Sequence, residues 1–150
     1  MKIIKTIVLV LLIVFVGIQF IPTTLNQSNE ILDSDFMQIY NVPKTIKNQI
    51  KISCYDCHSN NTHYPWYNRI QPITWLLEDH ISKGKKELNF SEFGNYSKRK
   101  KKSKFKSIIS QIKDNEMPMD MYTLIHRNAI LTELKKSEII EYMEGLRNQL

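Results

Sequence analysis

The five residues from Cys54 to His58 constrain this chain more than any other feature. They read Cys-Tyr-Asp-Cys-His, and Cys54 and Cys57 are the only cysteines among 150 residues. A Cys-x-x-Cys-His motif is typical of covalent c-type haem attachment. Two thiols one helical turn apart can bond the two vinyl groups of one porphyrin, and the adjacent imidazole can bind the iron. We predict a covalently attached haem c held by Cys54, Cys57 and His58.

Two other uses of the cysteine pair are open at this point. A zinc site made from Cys54, Cys57 and two histidines would lack the second Cys-x-x-Cys that cysteine-rich zinc sites carry. A thioredoxin-like dithiol or a plain disulfide would lack the βαβ pattern that accompanies redox dithiols. Haem attachment explains the adjacent histidine as well, and we prefer it for that reason.

The amino terminus predicts where the protein works. Lys2 and Lys5 precede an uncharged, mostly apolar run from Thr6 to Ile21. This pattern is typical of an export signal, and no Ala-x-Ala-type cleavage site follows it. We expect an uncleaved signal anchor, with a cleaved signal peptide or a buried core helix as alternatives. The predicted organisation is a signal anchor or transmembrane segment at 1–21, a linker at 22–34 and a haem-binding domain at 35–150.

Export predicts a location at the bacterial inner membrane with the haem domain in the periplasm. That compartment is oxidising, so a transient disulfide between Cys54 and Cys57 is also compatible with it. The formal net charge of the chain is +6. Nucleic acid is a poor partner for an exported chain, and we predict none.

Much of the positive charge lies in the run from Lys98 to Lys102, with Lys104 and Lys106 just beyond. Such a run could contact anionic lipid or an acidic redox partner. A solvated loop and helix start is the simpler interpretation.

Hydrophobic periodicity predicts an all-α domain. Apolar positions recur at helical spacing in four sets, which are Ile46, Ile50, Cys54 and Cys57 after Pro43; Ile73, Leu76, Leu77, His80 and Ile81 after Pro72; Phe105, Ile108, Ile109 and Ile112; and Ile139, Ile140, Met143, Leu146 and Leu150 after Thr132. A short helix is expected around 35–39, a loop at 59–67, and a helix end at Gly84. Helices this short need a cofactor to cover their apolar faces.

Methionines predict the second axial ligand of the iron. Met117 precedes Pro118 in a loop between the third and last predicted helices, from which a thioether could reach over a porphyrin. A thioether ligand favours the reduced iron. The alternatives are Met119 or Met121, a histidine such as His126, or an open position. Met119 and Met121 are more simply explained as core residues.

Aromatic residues after the motif are candidate walls of a haem crevice because their rings combine apolar area with a polar tip. Arg69 could pair with a haem propionate, and His63, His80 and His126 could also contact propionates. The candidate crevice residues are Tyr64, Trp66, Tyr67, Arg69 and Trp75.

Several of these tracts, taken together, resemble the bacterial haem-binding domain family of small, exported, cytochrome-c-like proteins. The tracts are 54–62, 64–67, 70–75, 80–81, 84–86, 88–91, 116–118, 122–126 and 131–132. The resemblance covers the chain from about Asp35 to the carboxyl terminus. It implies one covalently attached haem, with His58 as the proximal ligand, and an amino-terminal membrane segment. The Met-Pro element of the family falls on Met117–Pro118.

These features predict a membrane-tethered, c-type monohaem cytochrome that transfers one electron at a time and is an electron carrier rather than an enzyme. Its redox partner protein is not identified by the sequence. The alternative is a haem-based sensor or small haem enzyme with an open or displaceable distal site. His126 and Arg127 would be the acid–base candidates of such an enzyme.

Overall fold

The computed structural model describes residues 1–28 and 30–150, and within these ranges all regular structure is helical. The all-α prediction is therefore confirmed. The α-helices are α1 (Lys2–Ile18), α2 (Phe36–Ile39), α3 (Lys44–Ile50), α4 (Asp56–His58), α5 (Ile73–Glu87), α6 (Lys98–Lys113), α7 (Asp120–Ile125) and α8 (Glu133–Asn148). Three 3₁₀ turns connect them at Trp66–Arg69, Phe90–Asn95 and Arg127–Ala129, and a π-helical turn occupies Lys51–Tyr55.

Helix α1 lies outside the core. Its apolar side chains from Ile3 to Val16 are each at least 45 % exposed. Across the two described ranges, we find no helix that combines the length and apolar character needed to cross a membrane. The anchor predicted at residues 1–21 stays a prediction.

A cluster of phenylalanine rings forms the centre of the core. Phe36, Phe90, Phe93 and Phe105 are each no more than 1 % exposed, and their rings contact one another at centroid distances from 5.2 to 6.4 Å. Such aromatic pairs add stability beyond the area that they bury. The rings join α2 and α6 to the turn at Phe90–Asn95.

Helices α6 and α8 pack against each other and bury their predicted apolar stripes, which include Phe105, Ile109, Ile112, Ile139, Met143 and Leu146. Thr132 caps α8, as predicted, because its side chain accepts a hydrogen bond from the backbone N–H of Lys135. Ser97 caps α6 in the same way through the N–H of Lys100. The basic run therefore begins at the first turn of α6.

The helix that leads into the cysteine motif is not regular. The turn at Lys51–Tyr55 is π-helical, so Cys54 lies in a widened turn, whereas Cys57 and His58 lie in α4. The Ser53 hydroxyl accepts from Gln49 Nε2 at 2.7 Å and donates to the Ala129 carbonyl at 2.9 Å. Such single π turns are frequent at functional sites. Hydrophobic periodicity could not predict this π turn, because one inserted residue shifts the helical phase within a single turn only.

Gly84 does not end α5, which continues to Glu87, so the predicted helix end was wrong. A Cβ atom built on Gly84 would lie 2.7 Å from the carbonyl oxygen of Cys57 and 3.4 Å from its Cβ. Glycine is therefore required because α5 crosses the backbone of Cys57 at this point.

We predict that Gly84→Ala destabilises the protein by about 1–3 kcal/mol, because the added methyl group meets a backbone oxygen that cannot rotate away. This loss exceeds the roughly 1 kcal/mol that alanine gains over glycine inside a helix. Urea unfolding of the full-length chain, followed by circular dichroism, measures the change.

The matched control is Gly145→Ala in α8, where a Cβ would have no atom within 4 Å. This variant should be stabilised by up to about 1 kcal/mol. Equal stabilisation of both variants would contradict the close contact at Gly84.

Candidate functional site

A cleft of about 130 Å³ lies between α5, α7 and the loop that follows the cysteine motif. This volume is smaller than that of most sites for small molecules and cofactors, about 300–1,000 Å³. Its walls are almost entirely apolar. Cys57 and Asp56 of the motif are among the residues that line it.

The apolar face predicted for α5 lines this cleft in full, through Ile73, Leu76, Leu77, His80 and Ile81. Leu76 is 47 % exposed, and Ile125 of α7, on the cleft wall, is 59 % exposed. An amphipathic helix normally buries such a stripe against other helices. The exposed stripe therefore leaves an apolar surface beside Cys57 that a bound group would cover.

Cys54 and Cys57 are both free thiols, and they occupy different surroundings. Cys57 lines the cleft, whereas Cys54 packs against the hydrophobic core. Burial raises the pKa of Cys54 to about 12 and that of Cys57 to about 11. Reactive redox dithiols have lowered thiol pKa values. The dithiol alternative is therefore not favoured by these surroundings.

The zinc alternative also finds no support. Over residues 1–28 and 30–150, no group of three or more His, Cys, Asp or Glu side chains is placed to hold a metal ion. A structural zinc site needs four ligands in a closed shell.

His58 is oriented by a backbone carbonyl. Its Nδ1 lies 3.0 Å from the carbonyl oxygen of Leu88, and because that oxygen can only accept, Nδ1 carries the proton. Burial lowers the pKa of His58, so the ring is neutral at physiological pH. A neutral imidazole held through Nδ1 leaves Nε2 as the metal-binding atom. His58 is not among the side chains that line the cleft.

Asp56, inside the motif, forms hydrogen bonds with the loop that follows the motif and with α7. Its carboxylate accepts from the Tyr122 hydroxyl at 2.7 Å and from the backbone N–H of His63 at 3.1 Å. Its carbonyl oxygen accepts from the Thr62 hydroxyl at 2.6 Å. Burial and the Asp56 carboxylate raise the pKa of Tyr122, so this hydroxyl remains a donor. Asp56, Thr62 and Tyr122 were not predicted as site residues, because no regular spacing in the sequence marks them.

His126 lies on the cleft wall and is already engaged there. Its Nε2 is 3.0 Å from the Tyr67 hydroxyl, and its ring stacks on Tyr122 with a centroid distance of 4.4 Å. The three rings form one wall of the cleft. His126 is thus a hydrogen-bonded wall residue in this arrangement.

The three methionines beside Pro118 and in the start of α7 differ in their positions relative to the cleft. Met119 and Met121 line the cleft, whereas Met117 is half-buried outside its lining. The N–H groups of Glu116 and Met117 both donate to the Gln111 carbonyl, at 2.9 and 3.1 Å, and this fixes the loop to the end of α6. The prediction of Met117 as an iron ligand stays a prediction.

The remaining predicted site residues divide into two groups. Tyr64, Tyr67, His63 and His80 line the cleft, and the Tyr64 hydroxyl also donates to the Glu78 carboxylate. Three residues are outside the lining and exposed: Trp66, which is 78 % exposed, Arg69 and Trp75. Their predicted roles as crevice walls and propionate partner stay predictions.

Asn26, in the predicted linker, makes contacts that sequence reasoning could not anticipate. Its Nδ2 donates to the Ser59 carbonyl at 2.9 Å and to the Thr62 hydroxyl at 2.8 Å. Its Oδ1 accepts from Lys85 Nζ at 2.6 Å, and its N–H donates to the Tyr64 hydroxyl at 2.7 Å. The amino-terminal segment is therefore attached to the loop beside the cleft.

The chain was compared with protein families, curated proteins and solved structures. No curated protein and no solved structure matches the chain. A family model described as a haem-binding domain matches residues 13–145, which is most of the chain. The chain belongs to the haem-binding domain family, and it is a haem-binding protein.

Proposed function

We propose that the protein is a c-type monohaem cytochrome that carries single electrons. The observation that carries this proposal is the position of Cys57. This residue belongs to a Cys-x-x-Cys-His motif and lines an apolar cleft together with the stripe of α5. A haem-binding chain with two cysteines and this motif has the groups needed for two thioether bonds.

Three residues of the motif would hold the cofactor. Cys54 and Cys57 supply the thioether sulfurs, and His58 supplies Nε2 to the metal. The hydrogen bond from His58 Nδ1 to Leu88 holds the ring orientation and raises its basicity. A bound haem supplies an iron that changes between ferric and ferrous states.

We propose Met117 as the distal ligand, which would give a closed, electron-carrying site. In support of this proposal, Pro118 and the two hydrogen bonds to the Gln111 carbonyl restrict the loop that carries Met117. Met119 and Met121 are the alternatives, since they line the cleft.

A haem sensor or small haem enzyme is the second candidate function. The hydrogen-bonded pair of Tyr67 and His126 on the cleft wall favours it, because such a pair could stabilise a gas or peroxide on an open iron position.

For location, we propose that residues 1–21 attach the protein to the inner membrane with the haem domain in the periplasm. The exposed apolar surface of α1 and the basic residues Lys2 and Lys5 support this proposal.

Covalent attachment predicts a mass increase that survives denaturation. We expect full-length protein, produced together with a haem-attachment system, to carry one tetrapyrrole per chain in denaturing mass spectrometry. Cys54→Ser/Cys57→Ser should remove this mass completely, because both bonds are lost. Each single variant should retain it through the remaining sulfur. An unmodified wild-type polypeptide would refute the proposal.

The distal ligand can be identified from the spectrum of the ferric protein. A sulfur-to-iron charge-transfer band should be present in the wild type and absent in Met117→Ala. Met119→Ala and Met121→Ala are matched controls on the cleft wall, and they should keep the band.

If the band is lost only in a control variant, that methionine is the ligand. A high-spin ferric wild type whose reduced form binds carbon monoxide would instead support the sensor or enzyme.

A further inference from the structure

The first half of α6 carries a dense group of cations. We refer to it as the basic cluster, and it consists of Lys98, Arg99, Lys100, Lys101, Lys102, Lys104 and Lys106. The opposite face of α6 buries Phe105, Ile109 and Ile112 against the core. The helix is therefore fixed to the domain, and five of the seven cations are exposed, whereas Lys101 and Lys104 are partly buried.

The position of the basic cluster opposes the stability of its own helix. The amino end of a helix carries a partial positive charge, and acidic residues are favoured there by about 0.3–1 kcal/mol each. Helix α6 has no acidic residue in its first turn, which is also true of α3 and α5, but its first turn carries Lys98, Arg99 and Lys100. Departures from a local rule of this kind are expected at functional surfaces.

Few carboxylates offset these charges. Among the described residues, the only ion pair of the basic cluster joins Lys104 to Glu87 at 3.9 Å, and the Glu87 side chain is 84 % exposed. Lys100 lies over the Tyr96 ring, 3.9 Å from its centroid. Most of the positive field is therefore available to a partner.

The carboxyl end of α5 connects the basic cluster to His58. Lys104 contacts Glu87, and the next residue, Leu88, accepts the hydrogen bond from His58 Nδ1 at 3.0 Å. The ion pair of Lys104 with Glu87, the backbone of Glu87 and Leu88, and one hydrogen bond thus lead from the cluster to the imidazole of His58.

The basic cluster also lies at the opposite end of α5 from Gln19, which is close to the end of the predicted anchor. Gln19 and Gln71 exchange hydrogen bonds of 2.9 and 3.1 Å just before α5, whereas Lys104 contacts Glu87 at its carboxyl end. The 15 residues of α5 extend about 22 Å. If residues 1–21 lie in a membrane, this separation favours a protein partner over lipid headgroups.

We propose that the basic cluster is the docking surface for a one-electron redox protein whose own docking face is acidic. This inference rests on the proposed electron-carrier function. One electron passes between the partner's redox centre and the haem iron, and no bond forms or breaks. Complementary charges act mainly by raising the association rate of such short-lived complexes.

The test uses full-length, haem-loaded protein in a neutral detergent, with an acidic plant-type [2Fe–2S] ferredoxin as the probe. Lys98→Glu/Arg99→Glu reverses two exposed charges in the first turn of α6. Stopped-flow reduction by the reduced ferredoxin should slow about tenfold or more at low ionic strength. The difference should disappear near 1 M salt, where screening acts within about 3 Å.

The matched control is Lys44→Glu/Lys135→Glu. It makes the same change in net charge, in the first turns of α3 and α8. Both double variants place glutamates at helix amino ends, so both should fold and keep the wild-type haem spectrum. The control should reduce at a rate within about twofold of the wild type. Equal slowing of both variants would overturn the proposal, because net charge alone would then explain the effect.

Two further measurements separate the remaining outcomes. Calorimetric binding of oxidised ferredoxin should weaken only in the α6 variant, and this readout does not depend on electron transfer. Vesicles of phosphatidylglycerol and phosphatidylcholine should bind the α6 variant and the wild type equally. A defect confined to vesicles would assign the surface to lipid and overturn the proposal. A wild type without haem would refute the carrier function, while calorimetry would still test the docking surface.

Discussion

The contact between the cysteine motif and α5 determines the rest of the site. Gly84 lets the α5 backbone approach the Cys57 carbonyl, and the carbonyl of Leu88, just after α5, accepts a hydrogen bond from His58 Nδ1. Both contacts involve backbone atoms, so they fix the rotation of α5 as well as its distance. With this rotation, the stripe from Ile73 to Ile81 faces the space beside Cys57. The same contact therefore orients the imidazole and forms the apolar wall.

Polar side chains hold the loop after the motif in place by hydrogen bonds, and they leave the cleft open. Asp56 binds the loop from inside the motif, and Asn26 binds it from the amino-terminal segment. Thr62 takes part in both sets of hydrogen bonds. Buried polar groups stabilise a structure when their hydrogen bonds are satisfied, and they also favour one arrangement over others. The loop is thus held in place by groups that leave the apolar walls free.

Hydrophobic periodicity predicted the long helices and their apolar faces correctly, because spacing reports which residues share a face. It could not report what covers that face. The stripes of α6 and α8 meet each other, whereas the stripe of α5 meets a cleft. The π turn at Lys51–Tyr55, the role of Gly84 and the contacts of Asn26 depend on one backbone meeting another at long range. A single sequence contains no periodic signal for such contacts.

The apolar stripe of α5 is exposed, so a bound cofactor would cover it and contribute to the stability of the fold. Leu76 and Ile125 face the cleft with about half of their surface open to water, and each further Å² of apolar surface removed from water is worth about 25 cal/mol. A ligand that binds only the folded chain stabilises it in proportion to its affinity. Under the proposed covalent attachment, that stabilisation would not depend on the concentration of free haem. The two cysteines would then make permanent an apolar contact that these short helices do not supply for themselves.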